Sequence, residues 1–406
     1  MLECMKNSIP LLLLLFVVSC KKERPSTGAM EVLESPISKR LEKVDLPTEV
    51  IQAEVEFVSN PVNTNKSIIL RYELSVNNNF KIPFTLQKIE VYDFEKSNAP
   101  ISTLDSTYID MNFDRPGGVD VDDMKYLKGN DFGVLNMQLS FSEASLVPKK
   151  IYHKLYFKRL KGNGEFAVHP MEVAPVEIPT LNTLTIGFPF QDKGLWFYET
   201  DSHQGARQIT EGRLTYPQRF AVDWMLLNPD GSFAKGNMKK NSDWKTYGVP
   251  IIAVADGQVA YTKDNIKENI PFSEEMAVRM THETLGGNYV VLDIGNSIHA
   301  SYGHLQPNSI RVKIGDKVKK GQVLGLLGNS GNSDCPHLHF QLETKSNSFF
   351  GGEGIPYHFE NFITWNHFSE DEISVFYQNN RVPKSDDIEI VKKNEYPIGY
   401  GLIKIK

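Results

Sequence analysis

The run Cys335-Pro336-His337-Leu338-His339-Phe340-Gln341-Leu342-Glu343 places two imidazoles two residues apart in an alternating pattern. Leu338, Phe340 and Leu342 are apolar; His337, His339, Gln341 and Glu343 are polar. A strand repeats every two residues, so the apolar set faces a core and both imidazoles point to the other face. Two imidazoles on one strand face can hold a metal ion and act on a water bound to it. The turn Gly328-Asn329-Ser330-Gly331-Asn332-Ser333 delivers the strand. A lone His-x-His is common, so its weight depends on what accompanies it.

Here it closes an ordered series. Arg219-Phe220-Ala221-Val222-Asp223 comes first. Gly248-Val249-Pro250-Ile251 through Ala255-Asp256-Gly257-Gln258-Val259 follows, then Tyr302-Gly303-His304-Leu305 and Val318-Lys319-Lys320-Gly321-Gln322. From about Phe188 to Phe359 the series resembles the lysostaphin-like, or LytM-type, zinc metallopeptidases, which cut peptide bridges in bacterial cell walls. The resemblance implies that His339 and Asp223 are zinc ligands. It also implies that His304 and His337 flank the metal and polarise water or stabilise the developing oxyanion. Amide hydrolysis needs a nucleophile at neutral pH, and zinc with three protein ligands keeps an open position for water. Imidazoles beside it can take and return protons near their own pKa. A set of two histidines and one aspartate suits zinc better than magnesium or calcium.

One position departs from the family pattern. Its other two ligands come from a His-x-Gly-x-Asp segment, and here Arg219 stands at the histidine and Ala221 at the glycine. A guanidinium stays protonated and has no lone pair to donate. Arg219 is therefore expected in a structural ion pair, with Asp223 or Glu211. His203, in Asp201-Ser202-His203-Gln204-Gly205-Ala206-Arg207, is the candidate for the third ligand, on a loop that folds back over the site. Family members reading Gln-Arg-Phe/Tyr-Ala-x-Asp resemble this chain in carrying a histidine at a similar upstream position.

Short strands must position these groups. Ile251–Thr262 reads as two strands around the Asp256-Gly257 turn; Tyr289–Ile294, Ile298–Tyr302 and Gln322–Leu327 add more. The pattern also resembles a lipoyl/biotinyl hybrid barrel, but no lysine stands at a hairpin tip in the carrier motif. The polar insertion 265–282 is expected as a helix or lid beside the cleft. In the tail, Ile388–Val391 and Leu402–Ile405 are expected to form an extra hairpin. Upstream, Ile51–Phe57, Ile68–Leu74, Leu86–Tyr92, Gly133–Leu139 and Lys150–Phe157 alternate between Asn-, Pro- and Gly-rich turns. Such a series implies an immunoglobulin-like β-sandwich, in which His153 and His169 are incidental. The expected fold is thus mostly β: an N-terminal immunoglobulin-like β-sandwich followed by a β-rich LytM-type (duplicated hybrid) peptidase domain.

The chain begins with an apolar stretch, Ile9–Val18, too short to span a bilayer and right for a signal peptide. It ends Val17-Val18-Ser19-Cys20, which resembles a lipobox, implying lipidation at Cys20. Lys21 is not the aspartate that in that pattern retains lipoproteins at the inner membrane. The expected location is the cell envelope, lipid-anchored in the outer membrane and facing the periplasm. The expected organisation is a leader over 1–20, a tether over 21–46, the sandwich over 47–180, the peptidase domain over 181–362 and an extension over 363–406. With Cys20 lipidated, Cys335 is left alone and reads as a small packing residue. In 406 residues, 40% apolar and 23% charged, the net charge is −6. That balance reads as globular and implies no attraction to nucleic acid.

Two functional readings follow. One is a zinc endopeptidase acting on peptidoglycan peptides, with the sandwich free to bind a protein partner. The other is a catalytically inactive LytM-like protein that recruits or activates another wall hydrolase. Three matched imidazoles favour the first, and Arg219 the second.

Overall fold

Alternation at period two makes strands the dominant regular structure of this chain, with two short α-helices, Ser106–Asn112 and Glu370–Gln378, among the described residues. The computed structural model describes residues 51–406 apart from 65, 97, 116–122, 161–163, 346, 348, 366 and 384–387. The leader and tether expected over 1–46, with Cys20, lie outside the described residues.

In the N-terminal half the expected runs become the strands Ile68–Asn78, Phe84–Asp93, Asp131–Phe141 and Lys150–Leu160. The first run is shorter than its pattern, Ile51–Glu54. One antiparallel sheet runs Ile51–Glu54, Ile68–Asn78, Asp131–Phe141, Phe113–Asp114; the other runs Phe166–Glu177, Lys150–Leu160, Phe84–Asp93, Ser102–Leu104. The inward residues of both sheets, Leu70, Tyr72 and Leu74 with Leu86, Ile89 and Leu155 among them, form one core. Each such buried side chain contributes roughly 1.5–3 kcal/mol. His153 is buried in this core, bonded to the Tyr72 hydroxyl at 2.8 Å and the Ala174 carbonyl at 3.1 Å. Burial pulls its pKa down to about 4.

The C-terminal half is organised by one long antiparallel sheet, ten strands among the described residues. Its centre runs Asn288–Asp293, Ile298–Leu305, Leu338–Thr344, Val222–Leu226, Trp196–Glu199. Tyr400–Ile405 extends it beside Trp196–Glu199, and Phe362–Thr364 and Ile390–Lys392 follow. The expected tail hairpin does not form. Phe362–Thr364 lies between the two tail strands and pairs with both, so each ladder closes over a longer loop. Leu338, Phe340 and Leu342 do enter the core, beside Trp224, Val290, Ala300 and Tyr302.

The segment 265–282 is not a helix; among the described residues it is turns and irregular backbone. It braces the turn before the His-x-His strand. Asn269 Nδ2 donates to the Gly331 and Ser333 carbonyls, at 2.8 and 2.9 Å, and Glu268 bridges to Ser330. Asn269 is buried by this bracing, while Lys267, Glu274, Glu275 and Arg279 stay exposed.

Candidate metal centre

The four central strands carry the site side by side. Asp223 and His339 are direct cross-strand partners, and Asp223 also pairs with Glu199 on its other side. His304 lies near the end of Ile298–Leu305, and His203 on the loop after Trp196–Glu199. His337 sits one residue before its strand begins at Leu338, yet its ring still turns to the same place. His203 Nε2 lies 2.8 Å from Asp223 Oδ2, His339 Nδ1 2.9 Å from Oδ1, and His337 Nε2 3.5 Å from Oδ2. The His304 and His337 rings are 4.7 Å apart, centre to centre. All the sequence-predicted site residues that the structure describes therefore meet.

Backbone and side-chain acceptors fix which nitrogen of each ring faces the centre. His304 Nδ1–H donates to the Ser330 carbonyl at 2.7 Å, and His337 Nδ1–H to the Cys335 carbonyl at 2.8 Å. A carbonyl only accepts, so the lone pair of each ring is on Nε2. His339 Nε2–H donates to Gln341 Oε1 at 3.0 Å, which leaves the Nδ1 lone pair facing Asp223. To aim its ring, His304 adopts a left-handed backbone, φ 59°, beside an irregularity in the ladder between Asn288 and Val290. A non-glycine residue there costs about 1–3 kcal/mol and persists only where its surroundings enforce it.

The electrostatics fit a carboxylate among imidazoles. Burial alone would raise Asp223, but His203, His337 and His339 outweigh it and hold the carboxyl well below the usual range. Burial opposes charge on His203, and the Asp223 carboxylate overrides it, so His203 is raised. Burial, then His337 and His339, push His304 well down, and burial lowers His339.

A cation fits this arrangement. Asp223 Oδ1 is buried and without a hydrogen-bond partner, although His339 Nδ1 is 2.9 Å away. Two lone pairs facing each other at that distance repel unless a cation lies between them. The ligand atoms of His203, Asp223 and His339 all lie within 4.8 Å of one another. Two imidazoles and a carboxylate are a zinc-type donor set.

Arg219 is in an ion pair, but not with Asp223 or Glu211. It is fully buried; its Nε donates to Glu73 Oε1 at 2.8 Å and its Nη2 to Glu353 Oε2 at 2.8 Å. Nη1 reaches the Gly354 carbonyl at 2.8 Å. Glu73 belongs to the N-terminal half, a partner that reading along the chain from Arg219 does not reach. Cys335 is buried among Phe197, Met225 and Trp244, as expected of a packing residue, and burial pushes its thiol well up.

Sequence reading missed two neighbours. Glu199 ends the apolar run Trp-Phe-Tyr-Glu, and burial together with Asp223 pushes its carboxyl up to about 7. Gln341 was visible as part of the polar face of its strand; its role as acceptor for His339 was not.

Residues 238–350 match peptidase family M23. The matched region holds His304, His337 and His339; Asp223 and His203 precede it. The peptidoglycan DD-endopeptidase ShyA of Vibrio cholerae is 38% identical over 95 residues, 23% of this chain and 17% of that protein. Lysostaphin of Staphylococcus simulans is 44% identical over 62 residues, 15% of this chain and 12% of that one. This chain thus spans less than a fifth of either relative. The solved catalytic domain of lysostaphin from Staphylococcus simulans is 26% identical, covering 36% of this chain and 78% of that one, with a TM-score of 0.21.

Proposed function

We propose that this protein is a zinc-dependent endopeptidase that hydrolyses peptide cross-links or stem peptides of peptidoglycan. The observation that carries the reading is the convergence of His203, Asp223 and His339 within 4.8 Å around an unpartnered carboxylate oxygen. The family match and relatives such as ShyA support the reaction class.

His203, Asp223 and His339 would hold the metal, which when bound supplies a Lewis acid and an acidified water. The chain's own residues do the rest. His304 and His337 turn Nε2 toward the site, so either can accept a proton there and, once protonated, stabilise an oxyanion or protonate the leaving amine. The Ser330 and Cys335 carbonyls keep both rings in that tautomer. Gln341 fixes the His339 ring. We extend the proposal to the location: an envelope protein anchored by lipid at Cys20.

The test is zinc per chain on purified full-length protein, for wild type, His203→Ala and His339→Ala, with mass analysis of digested muropeptides. The expected result is one zinc in the wild type, lost in both variants, with cleavage lost alongside. Zinc lost only in His339→Ala would remove His203 from the ligand set. No zinc in the wild type, after reconstitution, would leave the recruiting, non-enzymatic reading in place.

A further inference from the structure

His203 is offered by a loop, and that loop is fastened to the other half of the molecule. Arg71, on the strand Ile68–Asn78, is 1% exposed. Its Nη2 donates to Asp201 Oδ1 at 3.1 Å, two residues before His203. Its Nη1 donates to the Arg219 carbonyl at 2.8 Å, four residues before Asp223. Its Nε donates to Gln138 Oε1 at 2.8 Å, on the neighbouring strand of the same sheet. One planar guanidinium thus spans three acceptors: one keeps it on the N-terminal sheet, and two lie on segments that lead to His203 and Asp223. The far end of the loop is fastened too. Arg207 bonds Asp114 of the same sheet, and a Cβ on Gly205 would meet Asn136 Nδ2 at 2.8 Å.

We infer that the N-terminal half completes the metal centre, with Arg71 as the positioning residue that holds the His203 loop in register with Asp223. The inference rests on the metal reading given above. It accounts for how the loop can carry a ligand. A loop left free would lose conformational entropy each time His203 met a metal; one already pinned at both ends has lost it in folding. It also explains why Arg71 is charged and fully enclosed: each of its three nitrogens has an acceptor.

Zinc affinity measured by chelator competition on the full chain tests this, in wild type, Arg71→Met, Asp201→Ala, the double variant and Arg115→Met. Arg71→Met and Asp201→Ala are each expected to bind zinc roughly ten- to a hundred-fold more weakly, the range for residues that orient ligands. The double variant should be no weaker than Arg71→Met, because the two residues act through one bond. Asp201→Ala leaves the buried Arg71 guanidinium without its carboxylate, so the thermal midpoint is read beside affinity in every variant. Arg115 bonds the Phe132 and Tyr126 carbonyls within the N-terminal half. Arg115→Met should lower the thermal midpoint and leave zinc affinity unchanged. Wild-type affinity in both Arg71→Met and Asp201→Ala would overturn the positioning role, as would an equal loss in Arg115→Met. A wild type that takes up no zinc would instead overturn the metal reading beneath it.

Discussion

At the residue scale the site divides by how far apart its parts lie in the chain. His337 and His339 were legible because two residues of spacing on a strand dictate a shared direction. His304 and Asp223 were legible through the motifs around them. His203 was reached through resemblance: Arg219 cannot donate a lone pair, and similar family members carry a histidine upstream. The partner of Arg219 was not legible, since Glu73 lies 146 residues upstream and neighbouring acids were the natural expectation. Glu199 and Arg71 escaped for the same reason; nothing local marks a residue whose role is set by strands that pair later. Gln341 offers a test at this scale. Gln341→Leu removes the acceptor that fixes the His339 proton on Nε2. Chelator competition should then show zinc held roughly ten- to a hundred-fold more weakly, and unchanged affinity would remove Gln341 from that role.

At the element scale, alternation found the strands but not their partners. The tail strands were expected to pair with each other, yet each pairs with Phe362–Thr364. The reason is that an alternating pattern specifies a face and leaves the neighbour open. The His-x-His strand was read as having a core face and a polar face, and both faces are buried. Glu343 shows what that does. It receives Ser301 Oγ at 2.9 Å and the Gly352 amide at 3.1 Å, but burial outweighs both and pushes its carboxyl up to about 7. The folded state therefore holds a proton that the unfolded chain releases near pH 4.5. The stabilisation is complete below that pH and is lost as the pH rises through about 7. Between pH 5 and 8.5, denaturant titration should show Glu343→Gln losing less stability than wild type. The difference should be of order 3 kcal/mol. Parallel pH profiles would contradict this protonated state.

At the scale of the whole molecule, two cores are joined by buried charge. Arg219, Glu73 and Glu353 share one enclosed network across the two halves. Removing one member leaves an uncompensated buried ion, which typically costs about 3–5 kcal/mol. All four tryptophans, Trp196, Trp224, Trp244 and Trp365, lie in the C-terminal half. Their fluorescence reports that half, while circular dichroism reports strands in both. In wild type the two denaturation curves should coincide. In Glu73→Ala both should move to lower denaturant and separate; coincident, unshifted curves would show that the network does not couple the halves.

The fastening of the His203 loop bears on how such chains are recombined. A fusion that starts at residue 181 would carry the long C-terminal sheet and His203, but none of Arg71, Asp114 or Asn136, against which its loop is set. A fusion that starts at Ile51 would carry the whole cradle. For this chain the exchangeable unit is the pair of halves, and swapping the first for a foreign targeting module would exchange a wall of the candidate metal site as well.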